Sequence, residues 1–149
     1  MVAPSSGSEM AVGIYAVQNG SSEPIKIESV QLIKPANLEL KDAVVVPVTT
    51  VDGTRSLVGA GATYPPDAAA LSNSTVAWAA RQDAVGSSIL PRRELDKKGE
   101  DINLVLGIAV DGSSGTADGV VVKYRGAGRS FTWKGRAKIL IKVSPGACF

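Results

Sequence analysis

The chain has no histidine and only one cysteine among its 149 residues. Histidine is the commonest general base near neutral pH and the commonest metal ligand, so its absence excludes histidine-dependent triads and metal centres. The single cysteine, Cys148, allows neither an intramolecular disulfide nor a cysteine metal cluster. Two interpretations of Cys148 stay open, a terminal thiol without a role and a thiol that pairs between chains.

Aromatic residues make up only 5% of the chain, and the formal net charge is only +2. The chain therefore has few aromatic side chains on which the bases of single-stranded nucleic acid could stack. Its net charge alone gives no argument for nucleic-acid binding. No run approaches the roughly 20 apolar residues of a membrane-spanning helix. The sequence predicts no nucleic-acid partner and no membrane span, and it leaves a lipid anchor open.

Signatures of enzymes are also scarce. The sequence holds no Gly-x-Ser-x-Gly, Ser-x-x-Lys or phosphate-binding Walker motif. The acidic residues fall mostly in predicted loops or at outward strand positions, and the acidic loop at residues 111–118 lacks the spacing of an EF-hand. We therefore predict a protein that is not an enzyme and that has no cofactor and no metal site.

What the chain does contain is a succession of short β-type runs separated by Gly, Pro, Asn and Ser. Such a rhythm predicts an all-β fold, here a single-domain antiparallel β-sandwich of eight or nine short strands. Residues 1–9 are predicted to be a flexible tether and residues 10–149 the domain. The clearest strands, at 102–110, 120–125 and 137–143, are expected in one of two packed sheets. Their predicted inward residues are Leu104, Leu106, Val120, Val122, Ile139 and Ile141.

Other segments give more local predictions. The β-branched run at 43–51 predicts a strand that is either buried on both faces or switches between sheets, and 75–81 is predicted as a strand in preference to a helix. Residues 91–98, with Pro at the start and Gly after the end, predict a short helix. The Gly-Ala-Gly runs at 59–61 and 126–128 predict turns. The irregular stretch at 59–74 is a candidate binding loop.

Basic residues give one candidate site. Lys123 and Arg125 are predicted on one strand face, and Arg136, Lys138 and Lys142 on another, with Arg129 and Lys134 in the connection between the two strands. If both strands belong to one sheet, these residues form a cationic face for an anionic polymer, a glycan or an acidic protein. The alternative is ordinary solvated decoration, in which charges also discourage edge-to-edge aggregation.

The two tryptophans, Trp78 and Trp133, give a second candidate site. Tryptophan in an all-β domain usually belongs to the core. An exposed one beside a loop stacks on sugar rings, as in carbohydrate-binding modules. The sequence leaves both interpretations open.

The chain resembles the immunoglobulin-like or fibronectin-type-III-like sandwich domains of small bacterial secreted proteins and lipoproteins. The resemblance rests on Tyr-Ala-Val-Gln-Asn-Gly at 15–20 before a strand that starts at Pro24, and on Gly86 and Pro91 around a loop. It also rests on Asn-Leu-Val-Leu-Gly at 103–107 and on Val-Val-Val-Lys-Tyr at 120–124. It implies an extracytoplasmic adhesion, accessory or envelope-associated role.

From these observations we expect a non-enzymatic binding domain of the cell envelope, secreted or anchored. It would act through the basic sheet face or through the loop at 59–74. Two alternatives stay open: a carbohydrate-binding module that uses Trp78 or Trp133, and a protease inhibitor that presents residues 59–74 or Arg92 and Arg93.

Overall fold

The computed structural model describes residues 2–3, 9–52, 54, 56–61, 63–67, 71 and 75–143. Most of them lie in strands, which confirms the all-β prediction. In this described part there are twelve strands, more than the expected eight or nine, because several are only two to four residues long. They are β1 Val2–Ala3, β2 Glu9–Ala16, β3 Ile25–Ile33, β4 Leu38–Thr49, β5 Gly59–Gly61, β6 Gln82–Asp83, β7 Ser88–Ile89, β8 Glu100–Val110, β9 Ser114–Ala117, β10 Gly119–Gly126, β11 Arg129–Gly135 and β12 Ile139–Val143.

The strands form three sheets, with the orders β5-β2-β8-β4-β6, β11-β10-β3-β7 and β1-β12-β9. The pairings are antiparallel except for the parallel contact of β1 with β12. The three clearest strands of the sequence, now β8, β10 and β12, lie in three different sheets, so the expectation that they share one was wrong. Alternation shows which side chains face a core, whereas long-range pairing decides which strand is the neighbour.

The main hydrophobic core draws residues from all three sheets. All six side chains predicted to point inward are buried, which confirms that part of the sequence interpretation. The long strand β8 is buried along both faces from residue 103 to residue 110. It pairs with β2 on one side and with β4 on the other, so it is the central strand of the five-stranded sheet.

A second, smaller core lies on the opposite face of the five-stranded sheet. Its buried members include Val44, Val46 and Val48 of β4, while Val45 belongs to the main core. Of the two alternatives for this run, the structure therefore shows the strand buried on both faces, and among the described sheets β4 belongs to the five-stranded one only. Tyr64 and Trp78 pack over the second core. The described part of the candidate loop at 59–74 therefore covers the sheet, and residues 62, 68–70 and 72–74 of that loop lie outside the described residues.

The predictions for short segments have mixed outcomes. The helix is present at Arg92–Lys98, between Pro91 and Gly99, and the turn at 126–128 is confirmed. The strand expected at 75–81 is wrong: Val76 makes one isolated bridge to Val48, and Trp78–Ala80 forms a 3-10 helix. Residues 59–61 form β5 and not a turn, because they find a partner in β2.

Two further predictions concern the chain ends: the tether at residues 1–9 and the terminal thiol of Cys148. Val2 and Ala3 pair in register with Lys142 and Val143, and Glu9 begins β2. The division into a tether and a domain stays a prediction. Cys148 lies outside the described residues. In the part of the chain that the structure describes, no helix is long and apolar enough to cross a membrane.

Candidate binding surfaces on the β10–β11 hairpin

Strands β10 and β11 form a hairpin whose geometry follows from a two-residue turn. Ala127 and Gly128 have positive φ values of 50° and 75°, as in the type I′ turn that matches the twist of paired strands. The register runs from Gly126 opposite Arg129 to Val120 opposite Gly135. Because side chains alternate along a strand, the hairpin has an inner side toward the core and an outer side toward solvent.

The outer side carries a group of basic residues, called here the basic face: Lys26, Lys123, Arg125 and Lys134. Lys123 and Arg125 alternate with buried and partly buried positions of β10, and Lys26 of β3 is the register partner of Arg125. Lys134 of β11 lies opposite Val121. All four are exposed. Three neighbouring strands thus place their cations on one surface.

One carboxylate moderates the basic face. Arg125 Nε lies 2.8 Å from Glu28 Oε1, in a charge-assisted hydrogen bond. The bond lies beside a shift in the register of β3 against β10, which occurs between Lys123 and Tyr124. Arg125 is therefore held in place by its own sheet, and an anionic ligand would gain most from the three lysines.

The other predicted basic residues lie elsewhere. Arg136 and Lys138 are in the connection after β11, and Lys142 is on β12 in the three-stranded sheet. All three are exposed. The condition that both basic strands share one sheet is thus not met. Lys123 and Arg125 gain Lys26 and Lys134 as neighbours in place of Lys138 and Lys142.

The inner side of the hairpin is aromatic. Tyr124 and Phe131 stack with ring centroids 5.4 Å apart and planes at 19°, and Trp133 meets Tyr15 edge-on at 6.0 Å. Phe131 is 44% exposed and Trp133 is 38% exposed. Tyr124 and Phe131 border a groove of about 450 Å³, whose other wall is the loop at residues 18–23. The groove combines ring faces with polar loop atoms.

Hydrogen bonds of Asn19 hold the loop that forms the groove's polar wall. The side chain of Asn19 is buried, and its Nδ2 donates to the carbonyl oxygens of Glu23 and Ile89 at 2.7 and 3.0 Å. Its Oδ1 accepts from the backbone N–H and the hydroxyl of Ser21. These bonds hold the loop in one conformation, so the wall of the groove is preorganised.

Trp78 lies in a different setting, on the far side of the five-stranded sheet. Its ring meets Tyr64 edge-on at 6.0 Å, and the Arg81 guanidinium lies 5.0 Å from its centroid. Tyr64 donates to Asp42 Oδ2 at 2.6 Å. Burial, together with this bond to a carboxylate, raises the pKa of Tyr64 well above its usual range. Trp78 is half-buried and takes part in packing, whereas Trp133 borders a separate small cavity of about 50 Å³ together with Tyr124.

Sequence reasoning overlooked Lys26, Tyr124 and Phe131 as site residues, and it placed Lys134 in a connection. The Ala-Gly turn was the available signal, because a two-residue hairpin fixes which residues face each other across it. Lys26 carried no such signal, since the pairing of β3 with β10 joins segments far apart in sequence.

Among the described residues, no cluster of three or more Asp, Glu, Cys or His side chains has a metal-binding arrangement. No protein-family model, curated protein or solved structure matches this chain. The hairpin offers cations on one side and aromatic rings on the other, and these are the two candidate binding surfaces.

Proposed function

We propose that this protein is a non-enzymatic binding domain that binds an anionic polymer through the basic face. The observation that supports the proposal is the convergence of Lys26, Lys123 and Lys134 from three adjacent strands onto one exposed surface. The sheet fixes the backbone positions from which these cations project, and their summed field attracts anions.

We propose a β-sandwich of immunoglobulin-like type, in which the five-stranded sheet packs against the other two sheets. Support comes from the main core, where residues of β8 cluster with residues of β10 and β12. The resemblance to secreted bacterial domains supports an extracytoplasmic, envelope-associated location. Detection of the protein in the cytoplasmic fraction of its own cells would contradict that location.

The binding proposal is tested with dextran sulfate as the anionic probe and neutral dextran as the control. We expect binding to dextran sulfate alone, and the affinity should fall as salt rises, because exposed charges are screened over about 10 Å at 0.1 M. The double variant Lys123→Glu/Lys134→Glu should weaken binding about tenfold, since each exposed charge contributes at most about 1 kcal/mol.

The matched control is Lys138→Glu/Lys142→Glu, which changes the net charge equally on a different part of the surface. It should bind dextran sulfate more tightly than the first variant, with an unchanged melting temperature in both. Equal losses in the two variants would show a nonspecific response to net charge and would contradict the proposed face.

A specific observation favours carbohydrate binding as a second candidate function. The groove beside Tyr124 and Phe131 has an aromatic floor and a polar wall, the combination that binds sugar rings. Cellohexaose and hexa-N-acetylchitohexaose, which are neutral, should then change the tryptophan fluorescence in a saturable way, because Trp133 lies on the same hairpin face as Tyr124 and Phe131. Phe131→Ala should abolish that change, and a response that survives this substitution would contradict binding in the groove.

The third alternative, a protease inhibitor, finds less support. Arg92 and Arg93 lie in the first turn of the short helix. An inhibitory loop is extended when it enters a protease, so these residues are in the wrong conformation for that role. The loop at 59–74 packs Tyr64 onto the sheet.

A further inference from the structure

Strand β11 is the edge of the four-stranded sheet. It pairs with β10 on one side, and no other described strand pairs with its second side. Residues 129–134 are all exposed. Long exposed edges invite pairing with another chain, and proteins normally blunt them with charge or Pro. Here the two charges, Arg129 and Lys134, flank an uncharged centre made of Ser130, Phe131, Thr132 and Trp133.

The turn determines which backbone groups face outward. The residues that close a two-residue turn, Gly126 and Arg129, exchange backbone hydrogen bonds, and such pairs alternate along an antiparallel ladder. Ser130, Thr132 and Lys134 therefore direct their N–H and C=O groups away from β10. These groups form the free edge.

The side chains of this edge are complementary to those of a second, identical β11 strand. When a second β11 is placed antiparallel with Thr132 opposite Thr132, Ser130 lies opposite Lys134. Phe131 then lies opposite Trp133, twice. Aromatic pairs across antiparallel strands are stabilising, and no like charges stand directly opposite each other. A twofold axis that passes between the two Thr132 residues relates the two strands. Both subunits then use the same surface, as a closed dimer requires.

We infer that the occupant of this edge is a second copy of the chain. The dimer joins two four-stranded sheets into one continuous sheet, and it encloses the exposed edges of Phe131 and Trp133. Both basic faces then lie on the same outer surface, so a longer anionic polymer meets twice as many cations. This inference concerns assembly and holds whether or not the basic face binds a polymer.

The side-by-side basic faces give the dimer a distinctive response to salt. They repel one another, so added salt should strengthen dimerisation by screening that repulsion. The same salt should weaken the binding of dextran sulfate. Opposite responses separate the two proposals, because either one can fail without the other.

The first experiment is sedimentation velocity of the full chain over a range of protein concentrations. We expect a dimer whose fraction rises with concentration and with salt. Thr132→Pro removes one outward N–H at a position where the hairpin ladder does not need it, so this variant should be monomeric and folded. Thr132→Ala keeps the N–H and should still dimerise. A wild-type chain that is monomeric throughout would overturn the inference.

The second experiment tests the register in a Cys148→Ser background. Thr132→Cys should form a disulfide between subunits on mild oxidation, because paired Cα atoms about 5.5 Å apart lie within disulfide reach. Ser130→Cys should not, since the register offsets the two residues by four positions, or about 13 Å. Efficient cross-linking of Ser130→Cys, or none of Thr132→Cys, would overturn the proposed pairing.

Discussion

Asn103 offers the sharpest test of how the central sheet is held together. Its side chain is fully buried in β8, beside the irregularity that separates Val12 from Tyr15 in the register of β2. Asn103 Nδ2 donates to the carbonyl oxygens of Gly13 and Tyr15 at 3.0 and 2.9 Å. Asn103 Oδ1 accepts from the Val58 N–H at 2.7 Å. One amide thus bonds backbone groups of β2 and of the segment before β5.

The substitution Asn103→Leu keeps a similar volume and removes these three hydrogen bonds, together with a longer one from Nδ2 to the Leu104 carbonyl oxygen at 3.2 Å. A buried polar group left without a partner costs about 1–3 kcal/mol, so we expect a loss of about 3–5 kcal/mol. That is a large part of the roughly 5–15 kcal/mol that stabilises a typical domain. Urea unfolding followed by circular dichroism measures the loss.

The control is Gln31→Leu, which also replaces an amide by Leu but at an exposed position of β3. It should change the free energy of unfolding by no more than about 0.5 kcal/mol. A loss below about 1 kcal/mol for Asn103→Leu would refute the reasoning. It would mean that water or a shift of β2 satisfies the three groups equally well.

Two further predictions follow from the backbone of β10 and from the Tyr64 phenol. Gly119 has φ 135°, and a Cβ there would lie 1.9 Å from the Gly135 carbonyl oxygen, so Gly119→Ala should lower the free energy of unfolding by about 2–4 kcal/mol. Gly20→Ala meets no atom within 4 Å and should be near neutral in the same urea titration; equal losses would contradict the argument. The pKa of Tyr64 is raised by burial and by Asp42, so the unfolded chain ionises first and stability should fall as pH rises past the ordinary tyrosine pKa. Tyr64→Phe should lessen that fall, and an unchanged pH profile would show that Tyr64 does not contribute.

Local patterns determined much of this fold. The alternation of apolar residues in β10 and β12 identified Val120, Val122, Ile139 and Ile141 as core, because side chains on one face of a strand repeat every second residue. Proline before the helix and glycine after it marked both helix ends. These features depend on residues close together in the chain, and their signal survives in any tertiary arrangement.

Other features followed from contacts over long distances. Trp78 sits on a 3-10 helix because the segment crosses the second core and contacts Tyr64 there, although the alternation at residues 76–80 is that of a strand. Residues 59–61 became a strand only because the edge of β2 was available. In such segments, tertiary contacts outweigh a weak local preference.

The candidate site divides in the same way. The sequence by itself determined that Lys123 and Arg125 share an outward face, since this needs only the period of one strand. Only the tertiary structure decided that Lys26 and Lys134 join them and that Lys142 does not, because strand neighbours are chosen by burial of the whole core. The chemistry of each residue is local, whereas the surface that the residues form together depends on the pairing of distant strands.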